Sequence, residues 1–282
     1  MTVKYFKWSA ALLGLTLALF LHADLASAQY GGGAASPSPA PAQNEPAEKE
    51  KPQKVNKKEE AAYKKVLEAQ SADPAMQIQV GEDFISQYPM SRYLPGVYGM
   101  LTTAYYVTGN TDKMFSTGAK ALQLNPDNVD VLALLAMAIP RRVKSNTPEG
   151  PQQLEKAGEY ARHAIELIPN MTKPEAIDDA AFEKAKNDKL ALCHSGLGLL
   201  AVDHQKYDDA RNELTQAVSL ATSPDPVDYY LLGSADDQAS YLHGAVAAYE
   251  KCAASGPLTV QCKSREDAVK KKIDAGTTLS RD

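Results

Sequence analysis

The chain has 282 residues, 30 of them basic and 35 acidic, for a formal net charge of −5. A chain of this length holds one large domain or two ordinary ones with ample core, and its acidic balance excludes a general nucleic-acid binder, which needs a basic surplus. Three cysteines exclude a disulfide scaffold or a Cys-rich metal protein.

Lys4 and Lys7 precede an apolar run of 13 residues, 9–21, and Ala26-Ser27-Ala28 has the small-x-small form of a secretory cleavage site. This pattern predicts a signal peptide over 1–28 and export to the periplasm or the medium. An uncleaved anchor is the alternative, but it needs about 20 apolar residues, and His22 and Asp24 follow the run at once. No stable membrane span is expected after cleavage. Residues 29–56 carry Gly31-Gly32-Gly33 and then Pro37, Pro39, Pro41, Pro46 and Pro52 among Ala, Ser, Lys and Glu. Almost nothing there can bury surface against the entropy of ordering, which predicts a disordered linker.

From 57 to 282 the apolar residues recur at helical spacing, and whole segments repeat. Leu197-Gly198 is followed by Tyr207, Ala210, Leu214, Ala217 and Leu220, then Pro224. Tyr229, Leu232-Gly233, Ala245, Tyr249 and Pro257 stand at matching offsets, with 12 residues from Gly198 to Ala210 and 12 from Gly233 to Ala245. Two further copies lie upstream. One has Tyr98, Leu101, Tyr105, Ala121 and Pro126; the other has Leu132, Leu135-Ala136, Ala157, Ala161, Ala164 and Pro169. A degenerate first unit closes on Phe84 and Tyr88-Pro89. The units thus fall near 58–91, 95–128, 129–171, 191–224 and 226–259.

Small residues at Gly198, Gly233, Ala210 and Ala245 let two antiparallel helices approach closely, and the closing proline ends the second helix. Two irregularities flank the third unit. Residues 140–151 (PRRVKSNTPEGP) read as a loop. Beyond Asn170 the spacing is too long, and Thr172 as N-cap with Pro174 in the first turn predicts an extra helix or an extension of the next one. A capping helix is expected at 264–275, with Ser264 as N-cap and Ala268 and Val269 facing inward.

The Leu-Gly, Ala, aromatic and Pro positions together resemble the tetratricopeptide repeat (TPR) family, a helix–turn–helix unit of about 34 residues. The resemblance implies an all-α, right-handed superhelical solenoid of about five antiparallel helix pairs with a C-terminal cap. It also implies that the first helix of each unit lines a concave groove that takes a peptide or partner protein. The groove residues would include Thr103, Tyr106, Met137, Arg141, Ser195, Leu199, Tyr230, Ser234 and Asp237. Gly99, Thr103, Ala133 and Met137 stand where some members carry a Lys/Asn clamp for a C-terminal carboxylate, so that kind of tail binding is not expected.

Cys252 and Cys262 lie ten apart across the Gly256-Pro257 turn. In an exported chain they are candidates for a disulfide that pins the cap; two separate thiols are the alternative. Cys193 sits among apolar helix positions and reads as a buried small residue. No H-x-x-x-H, HExxH, C-x-x-C, P-loop or G-x-S-x-G spacing occurs, so no catalytic residue, metal site or cofactor is expected. Arg141 and Arg142 form the compact basic feature of the 140–151 loop, suited to a carboxylate partner or else simply solvated. The expected function is a non-catalytic protein–protein interaction scaffold or adaptor of the cell envelope. A self-associating structural protein is the alternative.

Overall fold

A computed structural model describes residues 56–254, 256–276 and 280–281. The predicted signal peptide, and the predicted linker up to residue 55, lie outside the described residues. Within them the chain forms eleven α-helices and no strand. These are α1 (Lys57–Ala69) with α2 (Pro74–Gln87), α3 (Leu94–Val107) with α4 (Thr111–Leu124), and α5 (Val129–Arg142) with α6 (Gly150–Leu167). Next come α7 (Asp179–Asp203) with α8 (Tyr207–Leu220), α9 (Pro226–Gln238) with α10 (Leu242–Ala253), and α11 (Thr259–Asp274). Each pair is joined by a short turn and packs on its neighbours, which gives the expected all-α solenoid of helix pairs.

Short polar residues start most of these helices. The side chains of Asn56, Asp73, Asn110, Asn128, Asp178 and Asp225 each accept a backbone N–H from the first turn that follows, satisfying donors that have no partner within the helix. The turns inside units two, four and five share one device. Gly109, Gln205 and Ser240 hold φ of 73°, 58° and 67°. The next residue's N–H returns to the carbonyl five residues back: Asn110 to Tyr105 (2.9 Å), Lys206 to Ala201 (2.9 Å) and Tyr241 to Asp236 (2.8 Å). This left-handed stop reverses the chain after each first helix.

α5 is the spine. Its nine consecutive residues 131–139 are all buried, as befits a helix apolar on every side. It meets Leu154, Ala157 and Ala161 of α6 on one flank and Cys193 of α7 on another. α7 comes so close that a Cβ at Gly196 would stand 2.2 Å from the Ala136 carbonyl oxygen. Pro140 explains why that carbonyl is reachable: proline lacks the N–H that would bond the carbonyl four residues back, which here is Ala136. The predicted close approach at Gly198 and Gly233 is also present, since a Cβ would meet Leu214 at 2.5 Å and the Tyr249 ring at 2.9 Å.

Three local expectations are corrected. Pro140, Arg141 and Arg142 belong to the last turn of α5, and α6 starts at Gly150, so the loop shrinks to residues 143–149. Thr172 caps nothing: α7 starts at Asp179, where the better-placed Asp178 takes the Ala181 N–H at 2.7 Å. The extra length is therefore an extension of the fourth unit's first helix to 25 residues. Finally, α11 begins at Thr259 rather than Ser264, directly after Gly256, whose φ of 93° turns the chain. Ser264 and Ala268 are exposed on its outer side, while Val269 is buried against Leu242, Ala245 and Tyr249.

Candidate functional site

Arg141 is the centre of the face that the first helices share. From the end of α5 its guanidinium reaches past α7 to the start of α9. Nη1 donates to Asp225 Oδ2 at 2.6 Å, and Nη2 donates to Asp228 Oδ1 at 2.7 Å and Ser195 Oγ at 2.9 Å. Ser195 in turn donates to Asp228 Oδ1 at 2.7 Å. Asp225 does double duty, since its Oδ1 caps α9 through the Val227 N–H at 2.9 Å. The Arg141 side chain is 16% exposed and that of Asp228 9%. Burial alone would depress the Arg141 guanidinium, but Asp228 and Asp225 outweigh it and hold it above its usual value. Burial also pushes Asp228 above its usual value, against the pull of Arg141 and Ser195.

Around this network the structure gathers Tyr106, Met137, Arg141 and Ser195 of the nine expected groove residues. The Tyr106 hydroxyl points at Met137 Sδ, 4.0 Å away, and burial raises its pKa. Tyr106, Thr103 and Leu199 are half-buried and keep surface to offer; Thr103 bonds back to the Gly99 carbonyl at 3.4 Å. Met137 and Ser195 are 3% and 2% exposed. Buried to this degree, they support the face from below rather than offer surface of their own. Arg141 is likewise corrected: it is neither a solvated loop charge nor a free carboxylate ligand, since two internal carboxylates already hold it.

Tyr230, Ser234 and Asp237 do not join this group but meet the cap. Lys272 of α11 pairs with Asp237 at 2.5 Å, and a hydrogen bond from Arg265 to Tyr230 holds that guanidinium above its usual value. The Tyr230 ring packs edge-on to Tyr249 at 5.8 Å. Burial drives the Tyr249 hydroxyl up to about 12, with Ser234 hydrogen-bonded to it. The cap helix thus occupies the surface that a sixth unit's first helix would cover. Asp225 and Asp228 were missed by sequence reasoning, and an Asp before and inside a helix's first turn carries no local signal beyond capping.

Cys252 and Cys262 are bonded to each other, with Cα atoms 5.9 Å apart, tying α10 to α11. Cys193 is a buried free thiol, pushed up to about 12 by burial. His194 Nδ1 pairs with Glu213 at 2.7 Å and His163 Nε2 with Asp127 at 2.8 Å. Among the described residues no cluster of three His, Cys, Asp or Glu is placed to hold a metal ion, and no helix is long and apolar enough to cross a membrane.

These features define a TPR-like helical-repeat solenoid. No protein-family model matches the chain, and no curated protein does. Solved structures do. The chain is similar to TTC0263, a thermophilic TPR protein of Thermus thermophilus, at 17% identity over 75% of this chain and 98% of that one, with a TM-score of 0.46. It is similar to BtubC of P. vanneervenii at 17% identity over 69% and 87%, with a TM-score of 0.45. It is also similar to Acl4, an assembly chaperone of RpL4, at 10% identity over 79% and 98%, with a TM-score of 0.50. The likeness to Acl4 supports the repeat fold and nothing finer.

Proposed function

We propose that the chain is a non-catalytic interaction scaffold or adaptor of the cell envelope, which binds a partner protein or an extended peptide on the face shared by α3, α5 and α7. Stacked helix pairs present a long continuous surface that repeat proteins use for binding. The observation that carries the reading is the Arg141–Asp225–Asp228–Ser195 network under that face. It fixes α5, α7 and α9 relative to one another, and beside it Tyr106 of α3 stays half-exposed. A tyrosine on a rigid support offers much contact area at small entropic cost. The apolar run at 9–21 and the Ala26-Ser27-Ala28 site support an exported chain.

Affinity capture from an envelope extract tests this, with the chain from Gln29 as bait and a Tyr106→Ala/Leu199→Ser variant as control. The expected result is an enriched protein that the variant loses. Enrichment that ignores the variant overturns the assigned face. Capture of nothing, together with a dimer mass in light scattering, overturns the adaptor reading in favour of self-association.

A further inference from the structure

Ser280 and Arg281 return to the α7–α8 and α9–α10 turns, where Arg281 forms one wall of an open recess lined by residues of both. Tyr241, in the N-cap position of α10, provides no side-chain cap. The first N–H of α10, on Leu242, instead donates to Ser280 Oγ at 3.1 Å. The Arg281 N–H donates to the Ser240 carbonyl at 2.7 Å. Its guanidinium donates to both carboxylate oxygens of Asp208 at 3.1 and 3.2 Å and to the Ala239 carbonyl at 3.2 Å. The same guanidinium lies 4.4 Å from the centroid of the Tyr241 ring. Arg211, which approaches that ring at 4.1 Å, is paired with the buried Asp236 at 2.9 Å, so its charge is matched from within.

Two residues of tail therefore engage a main-chain acceptor, an unfilled helix cap, a carboxylate, a second carbonyl and an aromatic face. These are the elements from which sites for extended peptides are built. Ser280 and Arg281 are both polar, and the Arg281 side chain remains 49% exposed, so lifting these two residues off opens no core. We propose that this junction of two turns is a docking site for an extended protein segment bearing a Ser-Arg pair, and that the chain's own Ser280–Arg281 occupies it in cis. An incoming segment of the same chemistry must displace the tail. The site lies at the turns between paired helices and stands independently of the face proposed above.

A tail on a short connection is present at an effective concentration on the order of millimolar, enough to mask a site of modest affinity. The test is fluorescence anisotropy with a labelled peptide of residues 276–282, titrated with the full chain and with its Ser280→Ala/Arg281→Ala variant. The variant is expected to bind the peptide saturably and at least about tenfold more tightly than the unaltered chain. Adding Asp208→Asn to the variant, or Arg281→Ala to the peptide, is expected to weaken binding by about two- to fivefold. If circular dichroism shows that the double variant has lost helix, Arg281→Gln alone, which keeps the Ser280 cap, serves as host with the same expectations. Absence of saturable binding to a folded host, or binding indifferent to Asp208 and to the peptide arginine, overturns the site. Equal affinity for the host and the unaltered chain overturns its occupation in cis.

Discussion

Gly196→Ala isolates the contact at the heart of the solenoid. A methyl there would stand 2.2 Å from the Ala136 oxygen, 2.7 Å from its carbonyl carbon and 3.2 Å from the Met137 nitrogen, where ordinary contact begins at 3.4 Å. All three atoms are backbone, so no side chain can swing away. α7 and α5 must separate by about 1 Å, against a core packed to crystal-like density. The separation also pulls on the buried Arg141 network, whose bond to Ser195 spans the same junction and whose bond to Asp228 lies next to it. Overpacking of this kind costs about 1–3 kcal/mol, occasionally more, and straining the buried ion pairs adds to it. The gain in helix propensity from glycine to alanine, about 1 kcal/mol, offsets part of this. A net loss of about 2–3 kcal/mol is expected. Gly158→Ala is the matched control: its methyl would meet the tip of Arg162 at 3.3 Å and Leu200 Cδ1 at 3.4 Å. There the propensity gain should prevail and stability should rise by up to about 1 kcal/mol. Urea unfolding followed by far-UV circular dichroism reads both, comparing midpoints at equal slope. Gly196→Ala as stable as the unaltered chain, or more so, would refute the packing argument.

Arg141→Met should cost about 3–5 kcal/mol, because it strands Asp228 as a buried charge; adding Asp225→Asn and Asp228→Asn should recover most of the loss in urea unfolding. If the triple variant were no better than the single one, packing rather than charge would be at work. Thiol counting with N-ethylmaleimide, without reductant, should label no cysteine in the folded chain and one in urea, because Cys252 and Cys262 are bonded and Cys193 is a buried thiol raised to about 12. Labelling of Cys193 in the native state would contradict its burial. Hydrogen bonds from Lys113 and Tyr105 lower the Glu82 pKa. Its stabilisation is therefore present above the unfolded carboxylate range and is lost as pH falls through the lowered value. Glu82→Gln should cost under about 1 kcal/mol at neutral pH, as expected of a solvent-exposed pair, with the deficit fading in acid. A deficit unchanged between the two pH values would exclude the charge as its source.

The solenoid was legible because its constraint is local and periodic. A helix pair needs small residues where it crosses and a stop after its second helix, and Gly198, Gly233, Ala210 and Ala245 show the first requirement at fixed intervals, as Pro224 and Pro257 show the second. Boundaries were less legible where two signals competed. Pro140 read as a breaker, yet proline in a last turn costs one hydrogen bond, and the freed Ala136 carbonyl became the landing place of α7. Thr172 read as a cap, but Asp178 stood nearer the apolar run. The site was legible only as a face: Tyr106, Met137, Arg141 and Ser195 do converge, but the role of Arg141 rests on partners more than fifty residues away in sequence. The Ser280–Arg281 contacts have no periodic signature at all, since the tail lies beyond the repeats.

In a linear array each unit touches only its neighbours, so unfolding can stop at any junction. Arg141 departs from that rule. It belongs to the third pair, crosses the fourth at Ser195 and ends on the fifth at Asp225 and Asp228. Loss of the fifth pair therefore strips a buried guanidinium of its counter-ions inside the third, at a cost the third pair cannot relieve alone. The fourth pair is held from both sides, and its long first helix is anchored further by Lys189, buried and paired with Asp130 of α5 at 2.8 Å. Coupling of this range turns pairs three to five into one cooperative block rather than three separable ones. Unit two lies outside the bridge but packs against it, since Tyr106 of α3 meets Met137 of α5 and Ala121 and Leu122 of α4 share the α5 core.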